Sequence, residues 1–188
     1  MSEPIQRRPV ILAAAGLVTL LAACGSQGIH QAAAHTTAAS PAAAPAATPA
    51  CLSQFTAWRA GGGLADLQAV THALGHAARA AGASAAAGVS SASLMRLGTA
   101  AAALQAATQT AQADPAPACV PGLSTDEGTA MADLTQGAQG ELDAIQAAQN
   151  GDIQTAGSDL VAAAGTINSA HAPMLAAVSD IQAFLATH

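Results

Sequence analysis

An all-α fold, an antiparallel up-down four-helix bundle preceded by a signal peptide and a linker, is what the sequence predicts, and three observations carry that expectation. The first is composition: 56 of 188 residues are alanine, the strongest helix former, while aromatic residues make up only 2%. The second is periodicity, because from Cys51 onward the large apolar residues recur at intervals of three and four. The third is punctuation by glycine, proline and asparagine clusters that cut the chain into segments of helical length. A β-sandwich or barrel is excluded by the scarcity of β-branched and aromatic residues. Only 28 of the 138 residues from 51 to 188 are Leu, Ile, Val, Met, Phe or Trp, so the core must be thin.

The segments follow in order. Leu52, Phe55 and Trp58 fall on one face of a short helix that ends at Gly61-Gly62-Gly63. Leu64, Leu67, Thr71, Leu74, Ala78 and Ala81 form a stripe running to Gly82, and Leu94, Leu97, Ala101, Leu104 and Thr108 form a second. Asp114 to Pro121, with three prolines, breaks the pattern. Ser124-Thr125-Asp126-Glu127 reads as a capping box opening a third helix, with the stripe Met131, Leu134, Ala138, Leu142 and Ile145. Asn150-Gly151-Asp152 supplies a stop and a new N-cap, hence a tight hairpin. The last stripe is Ile153, Leu160, Ile167, Leu175, Val178, Ile181 and Leu185, interrupted at Pro173. Gly98, Gly137, Gly157 and Gly165 beside the seams are expected to let helices approach closely.

The first 23 residues have the three parts of an export signal: Arg7-Arg8, an apolar run from Val10 to Ala23, and a small-residue cleavage site. At fourteen residues that run is shorter than the roughly 20 that a permanent transmembrane helix needs. Leu21-Ala22-Ala23-Cys24 resembles the lipobox of bacterial lipoproteins, and with the alanine-rich, lysine-free composition the chain looks like a lipoprotein of a high-GC Gram-positive bacterium. That resemblance implies cleavage between Ala23 and Cys24, a covalent diacylglycerol on the Cys24 thiol, and anchorage on the extracytoplasmic face of the cell membrane; no other cofactor is expected. Arg7-Arg8-Pro9-Val10-Ile11 also resembles a twin-arginine signal, so either export route is open. Residues 24–50, rich in Ala, Pro and Thr, lack the apolar surface to fold and read as a linker; residues 51–188 form the helical domain.

With Cys24 assigned to the anchor, Cys51 and Cys119 remain as a pair in an oxidising compartment. An up-down bundle puts the start of the first long helix and the end of the second at the same end, so the sequence predicts a disulfide there.

Catalytic machinery is not expected. Without lysine there is no Schiff base, Ser-Lys dyad or P-loop. Gly88-Val89-Ser90-Ser91-Ala92 only approaches a nucleophile elbow and reads better as a helix start. Asp126, Glu127, Glu141, Asp143, Asp152 and Asp159 read as caps and a solvated face. His72 and His76, four apart, have metal-ligand spacing, with His171 as a third donor from another helix, but no carboxylate or cysteine is spaced to complete the shell. Trp58 and Phe55 read as an apolar plug over one end of the bundle. Removing the signal leaves three arginines against ten acids, which argues against nucleic acid and against anionic lipid as direct partners. The function expected is therefore a non-catalytic interaction or envelope-associated module meeting an unidentified envelope protein. A small-ligand-binding or metal-binding surface lipoprotein is the alternative.

Overall fold

The structure is a computed structural model that describes residues 48–87 and 90–187. Residues 1–23, with Ala23, as well as Cys24 and the linker up to residue 47, lie outside the described residues. Among the described residues helix is the only regular secondary structure, with no strand and no helix long and apolar enough to cross a membrane. The elements are α1 (Pro49–Gly61), α2 (Gly63–Ala87), α3 (Ser91–Ala113), α4 (Leu123–Gln149), α5 (Ile153–Ser169) and α6 (His171–Ala186).

α1 begins two residues earlier than the expected domain start. Thr48 caps it by accepting from the Cys51 N–H at 3.3 Å, and Pro49 stands at the first turn, where its missing donor costs nothing. Cys51, Phe55 and Trp58 are its buried face. Gly62, at φ +120°, turns the chain into α2. α2 does not stop at Gly82 as expected but runs on to Ala87, because one interior glycine costs only about 1 kcal/mol and the alanines that follow favour the helix. Ser90 caps α3 in a reciprocal box with Ser93, which fits the helix-start reading of that segment.

α4 departs from the expected start. Its N-cap is Gly122, at φ +81°, and Ser124 already lies inside the helix, so the Ser124/Glu127 capping box does not form. The physical reason is that Glu127 is turned inward and spends its carboxylate elsewhere. Asp152 caps α5 as expected, accepting from the Thr155 N–H at 3.0 Å, and Gly151, at φ +86°, completes the hairpin.

Contacts between helices fix their directions. Gly98 meets Ile145, Gln105 bonds Gln139 and Thr108 bonds Thr135, so α3 and α4 run antiparallel. Gly137 meets Ile167 and Ala163, and further along Ser169 bonds Asp133, so α5 and then α6 descend α4 in the opposite sense. Ala170, with helical φ and ψ, both ends α5 and starts α6, and Pro173 sits in the first turn of α6, so the interruption expected at Pro173 falls just before it. Ser84 approaches Ser93 where α2 hands over to α3, while Trp58, ahead of α2, reaches Asp114 at the far end of α3.

The buried stripes of α3 and most of α4 are those expected, but those of α2 and the α5–α6 rod are rotated. α2 buries Leu67, Val70, Ala73, Ala77 and Ala81 and leaves Thr71 exposed. On α5 and α6 the buried positions are Ala156, Ala163, Ala170, Ala177 and Phe184, each seven residues apart, together with Ile181 from the expected stripe, whereas Ile153, Leu175, Val178 and Leu185 are exposed. Alanine wins these positions because it lets the rod sit close to α4: a Cβ on Gly140 would stand 3.1 Å from the Ala163 Cβ. Gly157 and Gly165 face open space and serve no such approach.

Candidate functional site

One end of the molecule is fastened by a disulfide and an aromatic cluster. Cys51 on α1 is bonded to Cys119 in the α3–α4 loop, with Cα atoms 5.7 Å apart. Cys51 is buried and Cys119 exposed. Phe55 packs between Trp58 and Phe184, with ring centroids 5.7 and 4.7 Å away, and the Trp58 indole donates to the Asp114 carbonyl at 3.0 Å. The indole lies directly on the α-carbon of Gly63, where a Cβ would overlap the ring. Trp58 and Phe55 thus form the expected plug. A hollow of about 450 Å³ between α1 and α6, lined by Leu52, Phe55, Arg59 and Leu185, opens beside it.

Two glutamates expected on a solvated face are buried instead. Glu127 is fixed by the loop above it: the Ala116 N–H donates to its Oε2 at 2.7 Å, while its Oε1 is buried without a partner. Burial raises its pKa and the Asp114 and Asp66 charges add to the rise, while the Ala116 bond opposes it. Glu141, 14 residues further along α4, is 7% exposed and has a buried Oε2 without a partner. Burial alone pushes its pKa up to about 7. It lies between Ala138, in the main apolar cluster, and Ile145, which joins Ala81 and Leu97 in a second one. Periodicity could have exposed both: positions 127, 134 and 141 repeat at seven, and Leu134 between them is in the core. Charged residue type outweighed that signal.

Asp126 and Asp180 form a third acidic feature across α4 and α6. Loss of solvation raises the Asp180 pKa, and the Asp126 charge and a hydrogen bond between the two carboxyl groups raise it further. A Cβ on Gly122 would run into the Asp180 carboxylate, so Asp180 covers the start of α4.

On the outer surface, α3, α4 and α5 enclose a groove of about 640 Å³ lined by Gln105, Gln112, Thr135, Gln136, Gln139, Asp143, Asp159 and Thr166. Its side chains are already tied to one another. Gln105 donates to Gln139 and Gln139 to Asp143, both at 2.8 Å, and the Thr135 hydroxyl stands 2.9 Å from that of Thr108. Such a surface offers amide donors and acceptors with two carboxylates and no cation, which suits a neutral polar or cationic group.

His72 and His76 lie side by side on α2, exposed, with ring centroids 4.6 Å apart. His171 is exposed at the start of α6, and among the described residues no three His, Cys, Asp or Glu side chains converge as a metal shell. Ser90 is occupied as a cap, and Gly88 and Val89 lie outside the described residues. The comparisons with known proteins place no relative beside this chain: no family model, no curated protein and no solved structure matches it.

Proposed function

We propose that the chain is a lipid-anchored, extracytoplasmic, non-catalytic interaction module: an up-down four-helix bundle, α1–α2, α3, α4 and α5–α6 being its four rods, held to the membrane through diacylglycerol on Cys24. The observation that carries the interaction role is the outward apolar face of α5 and α6, on which Val161, Leu175, Val178 and Leu185 are exposed in a chain with few large apolar residues to spare. The Cys51–Cys119 bond supports the compartment, since such a bond persists where thiols are oxidised. The lipobox resemblance of Leu21 to Cys24 supports the anchor, and two acyl chains suffice for stable attachment.

Fractionation tests the anchor: the native chain stays with membranes and partitions into detergent, while Cys24→Ala abolishes acylation. Equal lipid content in both forms would overturn the anchor. A small-ligand reading is favoured by one observation, the amide-lined groove across α3, α4 and α5. A ligand retained in native mass spectra and lost with Gln139→Ala would put that reading first.

A further inference from the structure

We propose that the hollow between α1 and α6 binds a long-chain fatty acid, its acyl tail against the Phe55 and Phe184 rings and its carboxylate at the Arg59 guanidinium. The site begins in the spacing of α1. Leu52, Phe55, Thr56 and Arg59 recur at three and four residues, so they share one face of the helix, and that face meets Phe184 and Leu185 at the end of α6. Phe55 and Phe184, with ring centroids 4.7 Å apart, are buried and form the floor. Leu52 is half-buried and Leu185 is 47% exposed, so the walls keep apolar surface within reach of a ligand. At about 450 Å³ the hollow falls within the size range of small-molecule sites. It has room for about fifteen groups the size of a water molecule, which suits one acyl chain and not two.

Charge selects the occupant. Arg59 is exposed, it is one of three arginines left after the signal, and no carboxylate among the described residues pairs with it. Among the described residues no acid lines the hollow. Asp114 stands on the other side of α1, with its carboxylate beside Gly61 and its carbonyl taken by the Trp58 indole. An apolar hollow with one guanidinium at its edge, next to the Thr56 hydroxyl, matches a ligand that is apolar along its length and anionic at one end. Burial of methylenes supplies affinity, and the planar guanidinium, which takes a carboxylate by two parallel bonds, supplies orientation. The linker joins α1 at Thr48, one turn before Leu52, but residues 24–47 hold no acid to meet Arg59 and Ile29 as their one large apolar residue. A second copy or an anionic bilayer is repelled by the ten acids that outnumber the three arginines. A single carboxylate within a Debye length of about 8 Å is governed instead by Arg59. This site goes beyond the interaction role and does not depend on the anchor at Cys24.

Trp58, the only tryptophan, supplies the probe, because its ring packs on Phe55 beside the hollow. The full chain in phosphatidylcholine nanodiscs is titrated with a fatty acid brominated along its tail, since bromine quenches tryptophan emission at short range. Saturable quenching is expected, several-fold weaker in Arg59→Ala than in Arg59→Lys, which keeps the charge, and several-fold weaker for the uncharged methyl ester. Leu185→Glu, at a position already exposed, should abolish the quenching at unchanged helical circular dichroism, and Arg96→Ala, at the opposite end of α3, should leave it as it is. Quenching that fails to saturate, or that is equal in Arg59→Ala, would overturn the proposal and leave Arg59 as a cation complementing the last turn of α1. Equal quenching by brominated phosphatidylcholine in the discs would also overturn it, in favour of a bilayer-facing surface.

Discussion

Glu127 Oε2 accepts the Ala116 N–H at 2.7 Å, and through that one bond the central helix grips the proline-rich loop that also carries Cys119. The bond is buried, so its removal leaves a donor with no water to replace the acceptor. Glu127→Ala is expected to lower stability by about 1–3 kcal/mol, and Glu127→Gln, which retains an acceptor oxygen, by less. Urea midpoints at constant m-value measure the difference.

Glu141 predicts an unusual pH dependence. Its carboxyl is raised to about 7 by burial, above the 4.5 of the exposed group, so the folded chain binds more protons than the unfolded one between these values. The stability it contributes is complete below about pH 4.5 and is lost as pH rises through about 7. Glu141→Gln should flatten that dependence and add roughly 2–4 kcal/mol at pH 8.5. Thermal unfolding of both forms from pH 4.5 to 8.5 reads it directly, and parallel curves would show Glu141 to be solvated.

Glycines at the seams separate by what they touch. Gly63→Ala should displace the lone tryptophan, Trp58, from the α-carbon beneath it, giving a red-shifted emission and a loss of the Asp114 bond. Gly137→Ala, crowding Ile167 and the Ala163 carbonyl oxygen at 3.2 Å, should destabilise by about 1–3 kcal/mol. Gly165→Ala, facing open space, should stabilise by up to about 1 kcal/mol.

Reduction of the Cys51–Cys119 bond, which spans 68 residues, should cost on the order of 4 kcal/mol in the chain-entropy account. Melting with and without reductant measures it, and Cys51→Ala with Cys119→Ala should melt like the reduced protein.

Much of this architecture was legible because glycine, proline and cap residues act locally. The glycine stop after α1, the Asp152 cap that starts α5 and the hairpin at Gly151 followed from residues whose preferences do not depend on distant packing, and the disulfide from the two cysteines left once Cys24 is assigned. What escaped was tertiary. In a chain this rich in alanine, the seam is chosen by how closely backbones pack, so Ala156, Ala163 and Ala177 took the interior and Leu175 and Val178 were left outside. The same thin core admitted Glu127 and Glu141, which residue type alone assigns to solvent. The groove between α3 and α5 joins residues up to 61 positions apart, Gln105 to Thr166, with no motif to announce it.

The central claim is an exported helical module tethered at Cys24. Intact-mass measurement of the chain from membranes tests it most directly. The account predicts a polypeptide beginning at Cys24, carrying a diacylglycerol thioether and two hydrogens short of the reduced mass for the Cys51–Cys119 bond. A chain that retains residues 1–23, or begins elsewhere without lipid, would contradict it.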